Sequence, residues 1–229
     1  MLIGYGLMLW FCGPLFNIMG YGLKENFSLP VSGAGFILLI TGIFQKNKVE
    51  LKSFGAAALG LLYISLSWGL MISFYGLGDL HIHDTMYVFG DYTIPIIIIV
   101  SIWINDTMAY IVGSLIGKTP LSRVSPKKTW EGTIGGIILC VVVVVFLLPL
   151  LIYPFKDFYF SLTLAVIAAI SAIAGTFGDL LESKLKRMAG VKDSGQIMPG
   201  HGGFLDRFDS LLLAVPMVWI FLRLSTAFV

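Results

Sequence analysis

Seven long apolar stretches, separated by short polar ones, set the plan of the chain. They cover about 2–22, 28–44, 54–76, 92–117, 130–153, 159–181 and 204–227. Most approach the roughly 20 residues that a helix needs to cross a bilayer. The second is short and holds Gly33, Gly35 and Gly42. The runs are nearly continuous rather than alternating with period two, which excludes the pattern of a membrane barrel. Helix is then the expected form, because backbone polar groups in lipid must be satisfied within their own segment. The pattern predicts an all-α fold, a polytopic transmembrane helical bundle of about seven spans. Two regions are expected: generic transmembrane helices over 1–90, and a region carrying the chemistry over 91–229. The first run starts at Met1 with no basic segment before it and no small-residue cleavage site, and reads as a retained helix rather than a signal peptide.

Composition agrees with this plan. The 229 residues are 57% hydrophobic and 12% charged, against about 25% charged in soluble domains. A mean hydropathy of +0.91 excludes an ordinary soluble globule. The net charge of +2 is small and gives no reason to expect a nucleic-acid partner. Its distribution is more informative. If the spans alternate, Lys46, Lys48, Lys52, Lys118, Arg123, Lys127, Lys128, Lys184, Lys186, Arg187, Lys192 and Arg207 fall on one side. Lys24, Lys156 and Arg223 fall on the other. Twelve against three makes the basic side cytosolic, with the N-terminus inside and the C-terminus outside.

Cys12 and Cys140 sit inside apolar runs and read as small packing residues rather than a disulfide or metal ligands. The outer loop 77–91 holds Asp79, His81, His83, Asp84 and Asp91 and no basic residue. His81-x-His83-Asp84 has metal-ligand chemistry, but a solvated acidic loop explains it without any.

Ionisable residues at membrane depth cost about 2.5–3.5 kcal/mol near a helix centre, so those that persist need compensation. Here they gather at one face. Asp106 lies late in the fourth span, Asp179 and Glu182 close the sixth, and Asp206 and Asp209 open the seventh. Asp206 and Asp209 are spaced i, i+3 and would share a helix face. A divalent cation would relieve their repulsion. Mg²⁺ favours carboxylate oxygens and completes its shell from water and substrate phosphates. The rival reading is a salt-bridge network with Arg207, Lys186 or Arg187.

Three basic or flexible segments accompany these carboxylates. Met198-Pro-Gly-His-Gly-Gly-Phe204 leads into the seventh span. Its glycines, Gly200, Gly202 and Gly203, permit close approach to a ligand, and the helix start offers N–H groups to an anion. His201 has the chemistry to bond a phosphate or shuttle a proton. Ser125-Pro-Lys-Lys-Thr-Trp-Glu131 precedes the fifth span. Ser125 is expected to cap that helix with Pro126 at its first position, placing Lys127 and Lys128 in the first turn. Cations are unfavourable there unless an anion binds between them and the helix end. Anchoring to anionic headgroups is the alternative. Gly132, Gly135 and Gly136 are expected to let another helix pack closely. A third segment, Glu182-Ser-Lys-Leu-Lys-Arg187 and Val191-Lys-Asp-Ser-Gly195, continues the sixth helix and turns at Gly190 and Gly195. Lys186 and Arg187 are candidate phosphate ligands in it.

Together these residues resemble the phosphatidate cytidylyltransferase (CDP-diacylglycerol synthase) family. The match is Ser183-x-x-Lys186-Arg187, Lys192-Asp193-Ser194-Gly195, Pro199-Gly-His201-Gly-Gly203 and Asp206-Arg207-x-Asp209. Asn105-Asp106-x-x-Ala-Tyr110 and Ser125-Pro-Lys-Lys-Thr-Trp-Glu-Gly132 also look like family motifs. The resemblance covers about 100–229. The chain is shorter than most bacterial members, which implies fewer N-terminal helices.

The resemblance implies transfer of a cytidylyl group from CTP to phosphatidic acid, giving CDP-diacylglycerol and pyrophosphate. It implies Asp179, Asp206 and Asp209 at a metal centre with Mg²⁺ and a monovalent cation such as K⁺. Lys186 and Arg187 would act beside that centre. Asp106, Ser125, Lys127, Lys128, Ser183, Lys192, Asp193, His201, Gly202, Gly203 and Arg207 would meet substrate. It further implies a bacterial inner membrane, a cytosol-facing site, a lipid substrate from the inner leaflet and a homodimer. The competing readings are a cation transporter or channel with a carboxylate-lined path, and a CTP-dependent transferase acting on another lipid phosphate.

Overall fold

The computed structural model describes residues 2–12, 17–18, 21–22, 29–43, 51–74, 79–82, 85–88, 92–151, 158–191, 193–195 and 203–227. It is overwhelmingly helical. Helices α1 (Leu2–Cys12), α2 (Leu29–Ile43), α3 (Leu51–Gly60) and α4 (Ser67–Ser73) come first, α3 and α4 being joined by a π-helical turn, Leu61–Leu66. Helices α5 (Thr93–Ile116), α6 (Trp130–Leu151), α7 (Phe158–Met188) and α8 (Asp209–Ala227) follow. The extended pieces among the described residues are two antiparallel hairpins, β1 (Asn17–Ile18) with β2 (Tyr21–Gly22), and β3 (Asp79–Ile82) with β4 (Thr85–Val88).

The chain divides into two compact units, Met1–Gly78 with Phe89–Tyr92, and Asp79–Val88 with Thr93–Val229. In the first, α1 packs on α2, on α4 and on the π-helical turn. The expected first span of 2–22 is corrected here. Its described helix covers Leu2–Cys12, and Asn17–Ile18 and Tyr21–Gly22, inside the same stretch, pair as extended strands. His81 lies in β3, and His83 and Asp84 fall outside the described residues.

In the second unit α5, α6 and α7 are, among the described residues, the helices long and apolar enough to cross a membrane. They carry the apolar exterior of a helical membrane protein: Trp103, Tyr110, Leu115 and Phe146 are each about 70% exposed or more. Lipid chains are as apolar as these side chains, so helix association depends on close packing rather than on escape from water. The α5–α6 contact follows that rule. A Cβ on Gly136 would come within 2.8 Å of the Ala109 Cβ and 2.9 Å of the Asn105 carbonyl, and one on Gly132 within 2.6 Å of the Ala109 carbonyl. Half of the α7 span is buried, against 28% and 22% for α5 and α6, so α7 is the central helix. It packs against α5, α6 and α8, and Ile98 of α5, Leu164 and Ile167 of α7, and Leu212 and Val215 of α8 are buried.

At 1.5 Å per residue, the 31 residues of α7 extend about 46 Å, well beyond the roughly 30 Å hydrocarbon layer. The helix continues past residue 181 through Lys186 and Arg187, as the charged pattern implies, and turns at Gly190 with φ +72°. At the last span, Leu205–Arg207 forms a separate 3₁₀ turn, and Phe208 (φ −121°, ψ 5°) breaks the helical path before α8 begins.

Candidate active site

Helix α7 delivers Asp179 and Glu182, one turn apart on one face, and the first residue of α8 delivers Asp209. One carboxylate oxygen from each lies within 4.8 Å of the other two. Gly178 makes this possible. A Cβ there would stand 2.6 Å from the Asp209 carbonyl oxygen and 3.0 Å from the Ser210 Cα, so only hydrogen lets α8 approach α7 at this level. Each like-charged pair at this separation repels by roughly 3 kcal/mol at an effective dielectric near 20. The Lys128 ammonium, which pairs with Asp179, and Lys186, 2.8 Å from Glu182 Oε2, offset part of that.

The donor set fits a divalent cation. Glu182 is 1% exposed, and the Lys186 ammonium stands 2.8 Å from its Oε2. A buried Glu182 and a partly exposed Asp179 from one helix, with Asp209 from its neighbour, offer the hard oxygen ligands that Mg²⁺ takes.

Asp206 takes a different place from the one its spacing implied. Because the chain breaks at Phe208, Asp206 and Asp209 do not share a helix face. Asp206 Oδ1 receives Lys186 Nζ at 2.7 Å. Its Oδ2 accepts from the Ser194 N–H (2.9 Å), the Ser194 hydroxyl (3.0 Å) and the Gly203 N–H (2.7 Å). Partial burial pushes the Asp206 carboxyl up, but Lys186 and these donors outweigh it and hold the group well below the ordinary carboxylate range. Lys186 therefore bridges Glu182 of the cluster to Asp206, which clamps the segment linking α7 to α8.

A cavity of about 380 Å³, with several charged and polar side chains in its wall, opens beside the cluster. Asp179 lines it from α7, Asp106 from α5, and Ser125, Lys127 and Lys128 from the α5–α6 loop. Asn105 Nδ2 donates to Thr176 Oγ1 at 3.2 Å and ties the two helices at its floor. The expected capping by Ser125 is corrected. Helix α6 begins at Trp130, and the Gly132 N–H reaches Thr129 Oγ1 at 3.1 Å, so Thr129 caps it. Ser125 lies in the preceding turn, closed by the Lys128 N–H to the Ser125 carbonyl at 3.1 Å. Lys127 and Lys128 thus sit in a loop and not in a helical turn.

Of the other expected residues, the Ser183 hydroxyl faces Asp179 Oδ1 at 3.4 Å, and Gly203 packs on the Ser194–Gly195 backbone. Arg187, Asp193 and Arg207 are exposed. Lys192, His201 and Gly202 lie outside the described residues. Glu182 joins the cluster although the spacing of Asp206 and Asp209 drew attention elsewhere; its signal was the i, i+3 relation to Asp179.

Fold and site define a helical membrane protein with a carboxylate cluster and a lysine-lined cavity at one end of its central helix. The chain belongs to the Cytidylyltransferase family, whose model matches residues 1–225. It is similar to the phosphatidate cytidylyltransferase of Staphylococcus saprophyticus, 41% identical over 189 residues, and to those of Staphylococcus haemolyticus (38%) and Staphylococcus aureus (36%). Each match covers 82% of this chain and 66% of the relative, so the chain spans a little under two thirds of their length.

Proposed function

We propose that the protein transfers a cytidylyl group from CTP to phosphatidate, releasing pyrophosphate and leaving CDP-diacylglycerol in the membrane. The observation that carries the reading is the joining of Asp179, Glu182 and Asp209 to a cavity lined by Lys127 and Lys128. Membership of the Cytidylyltransferase family and the names of its relatives support the choice of CTP and phosphatidate.

Both substrates are anions, so the protein must neutralise charge and align two phosphates. Asp179, Glu182 and Asp209 would hold Mg²⁺, with a monovalent cation such as K⁺ as a second ion nearby. A bound divalent cation supplies charge screening of the phosphates and stabilises the developing charge on the leaving group. Asp206 serves the same site by fixing Lys186 and the linking segment. Lys127 and Lys128 bind phosphate oxygens in the cavity, an electrostatic role aimed at the transition state. Arg187, Ser183, Lys192, Asp193, His201, Gly202, Gly203 and Arg207 would contact the substrates, a role supported by the resemblance of their sequence motifs to the family. The attacking lipid phosphate is already ionised, so orientation matters more than a strong base.

In the bilayer we place a polytopic helical bundle in a bacterial inner membrane, with the basic loops in the cytosol. The distribution of lysine and arginine supports this orientation. It sets the cavity at the cytosolic surface, where CTP and inner-leaflet lipid meet. Purified protein with labelled CTP, Mg²⁺ and phosphatidate, followed by lipid extraction, tests the reading. Label in the lipid phase supports it; cation flux in liposomes without label transfer overturns it.

A further inference from the structure

The loop that carries Ser125, Lys127 and Lys128 is tied shut at its base by one side chain. Glu131, at the start of α6, accepts from the Lys118 N–H at 3.2 Å, the Thr119 N–H at 3.2 Å and the Thr119 hydroxyl at 2.8 Å. The two strands of the loop are laced above it. The Trp130 N–H reaches the Thr119 carbonyl at 2.9 Å, and the Leu121 N–H reaches the Lys128 carbonyl at 2.7 Å. The base is also anchored to α5, since a Cβ on Gly113 would meet Thr129 Oγ1 at 3.0 Å.

We infer that Glu131 is a positioning residue for phosphate binding: by closing the base of the 117–130 loop it sets Lys127 and Lys128 in the cavity beside Asp179. This rests on the cytidylyl-transfer reading for the identity of the phosphates. The geometry explains why a carboxylate serves here. Two oxygens satisfy three donors from one turn of chain, which no neutral side chain of that length does as well. The donors are exposed, so without Glu131 they turn to water and the helices stay packed. What is lost is the register of the loop. Two lysines on flexible stems then no longer converge on one phosphate.

The test compares wild type with Glu131→Ala, Glu131→Gln and Thr119→Val in detergent. Two quantities are read: KM and kcat for CTP and for phosphatidate, and the Kd for inorganic pyrophosphate by calorimetry. Loss of converged charge-assisted contacts predicts a Kd for pyrophosphate raised about tenfold in Glu131→Ala. The same factor is expected in KM, with kcat at saturation within about twofold. Glu131→Gln keeps an acceptor oxygen and lies between the two. Thr119→Val removes a single contact and shifts the same way if Glu131→Ala is too unstable to purify. A rise confined to KM for CTP identifies the phosphate as the nucleotide's, and one confined to KM for phosphatidate as the lipid's; either supports the inference. Unchanged Kd and KM, or a fall in thermal midpoint and kcat with KM intact, overturn it. A wild type that binds pyrophosphate but transfers no cytidylyl group counts against the reaction, while the Kd series still decides the role of Glu131.

Discussion

Lys186 and Asp206 stand 2.7 Å apart, and through this pair the last turns of α7 hold the segment that leads into α8. The same ammonium lies 2.8 Å from Glu182, so one cation joins the carboxylate cluster to its support.

Replacing Asp206 by Asn should therefore loosen the segment rather than empty the cluster. Losing the charge on an acceptor that serves Lys186, Ser194 and Gly203 is expected to cost about 2–4 kcal/mol, since hydrogen bonds to charged groups contribute about 1.5–3 kcal/mol each. Thermal unfolding in detergent measures it. The depressed carboxyl fixes the sign of the pH effect. Its stabilisation is complete above the ordinary carboxylate range and fades as pH falls towards the lower folded value, so wild type and Asp206→Asn should converge in acid.

Asp209→Asn removes one of three clustered carboxylates without adding bulk. Turnover should fall by at least about a thousandfold, the scale seen when a group that stabilises developing charge is lost. Membrane insertion, checked by fractionation, should be unchanged. Wild-type-like turnover would remove the cluster from the mechanism.

Chelation offers a reversible counterpart. EDTA should abolish activity and Mg²⁺ restore it. At a concentration 100 times its Kd, a ligand bound by the folded state alone stabilises by about 2.7 kcal/mol. Mg²⁺ should raise the melting temperature of wild type accordingly and leave that of Asp209→Asn almost unmoved.

Gly178→Ala tests the approach of α8 to α7. The added methyl would lie 2.6 Å from the Asp209 carbonyl, a contact that backbone must relieve by moving. Overpacking of this kind costs about 1–3 kcal/mol. Because the displaced atoms include Asp209, Mn²⁺ affinity measured by paramagnetic resonance should fall in parallel with activity.

Much of the helical plan was legible in the sequence, because long apolar runs have few alternatives in lipid. The expected 92–117 and 130–153 correspond to α5 at Thr93–Ile116 and α6 at Trp130–Leu151. Helix ends set by local chemistry were harder to read. Thr129 rather than Ser125 caps α6, a choice made by the tertiary fit of Thr129 against Gly113 and Gly117. The break at Phe208 was hidden for a similar reason. Helical spacing put Asp206 and Asp209 together, whereas the donors waiting at Ser194, Gly203 and Lys186 draw Asp206 away. Glu131 bonds to Lys118 and Thr119, partners 13 and 12 residues earlier that spacing along the chain does not name.

Asp179, Glu182, Ser183 and Lys186 all ride on one unbroken helix, while Asp209 rides on the next. Spacings within α7 are locked by its pitch, so the adjustable dimension is the gap between two rods. A reactant arriving at this end of the protein can tune the trio of oxygens only by sliding or tilting α8 against α7, which makes the Gly178 contact the pivot of any such adjustment.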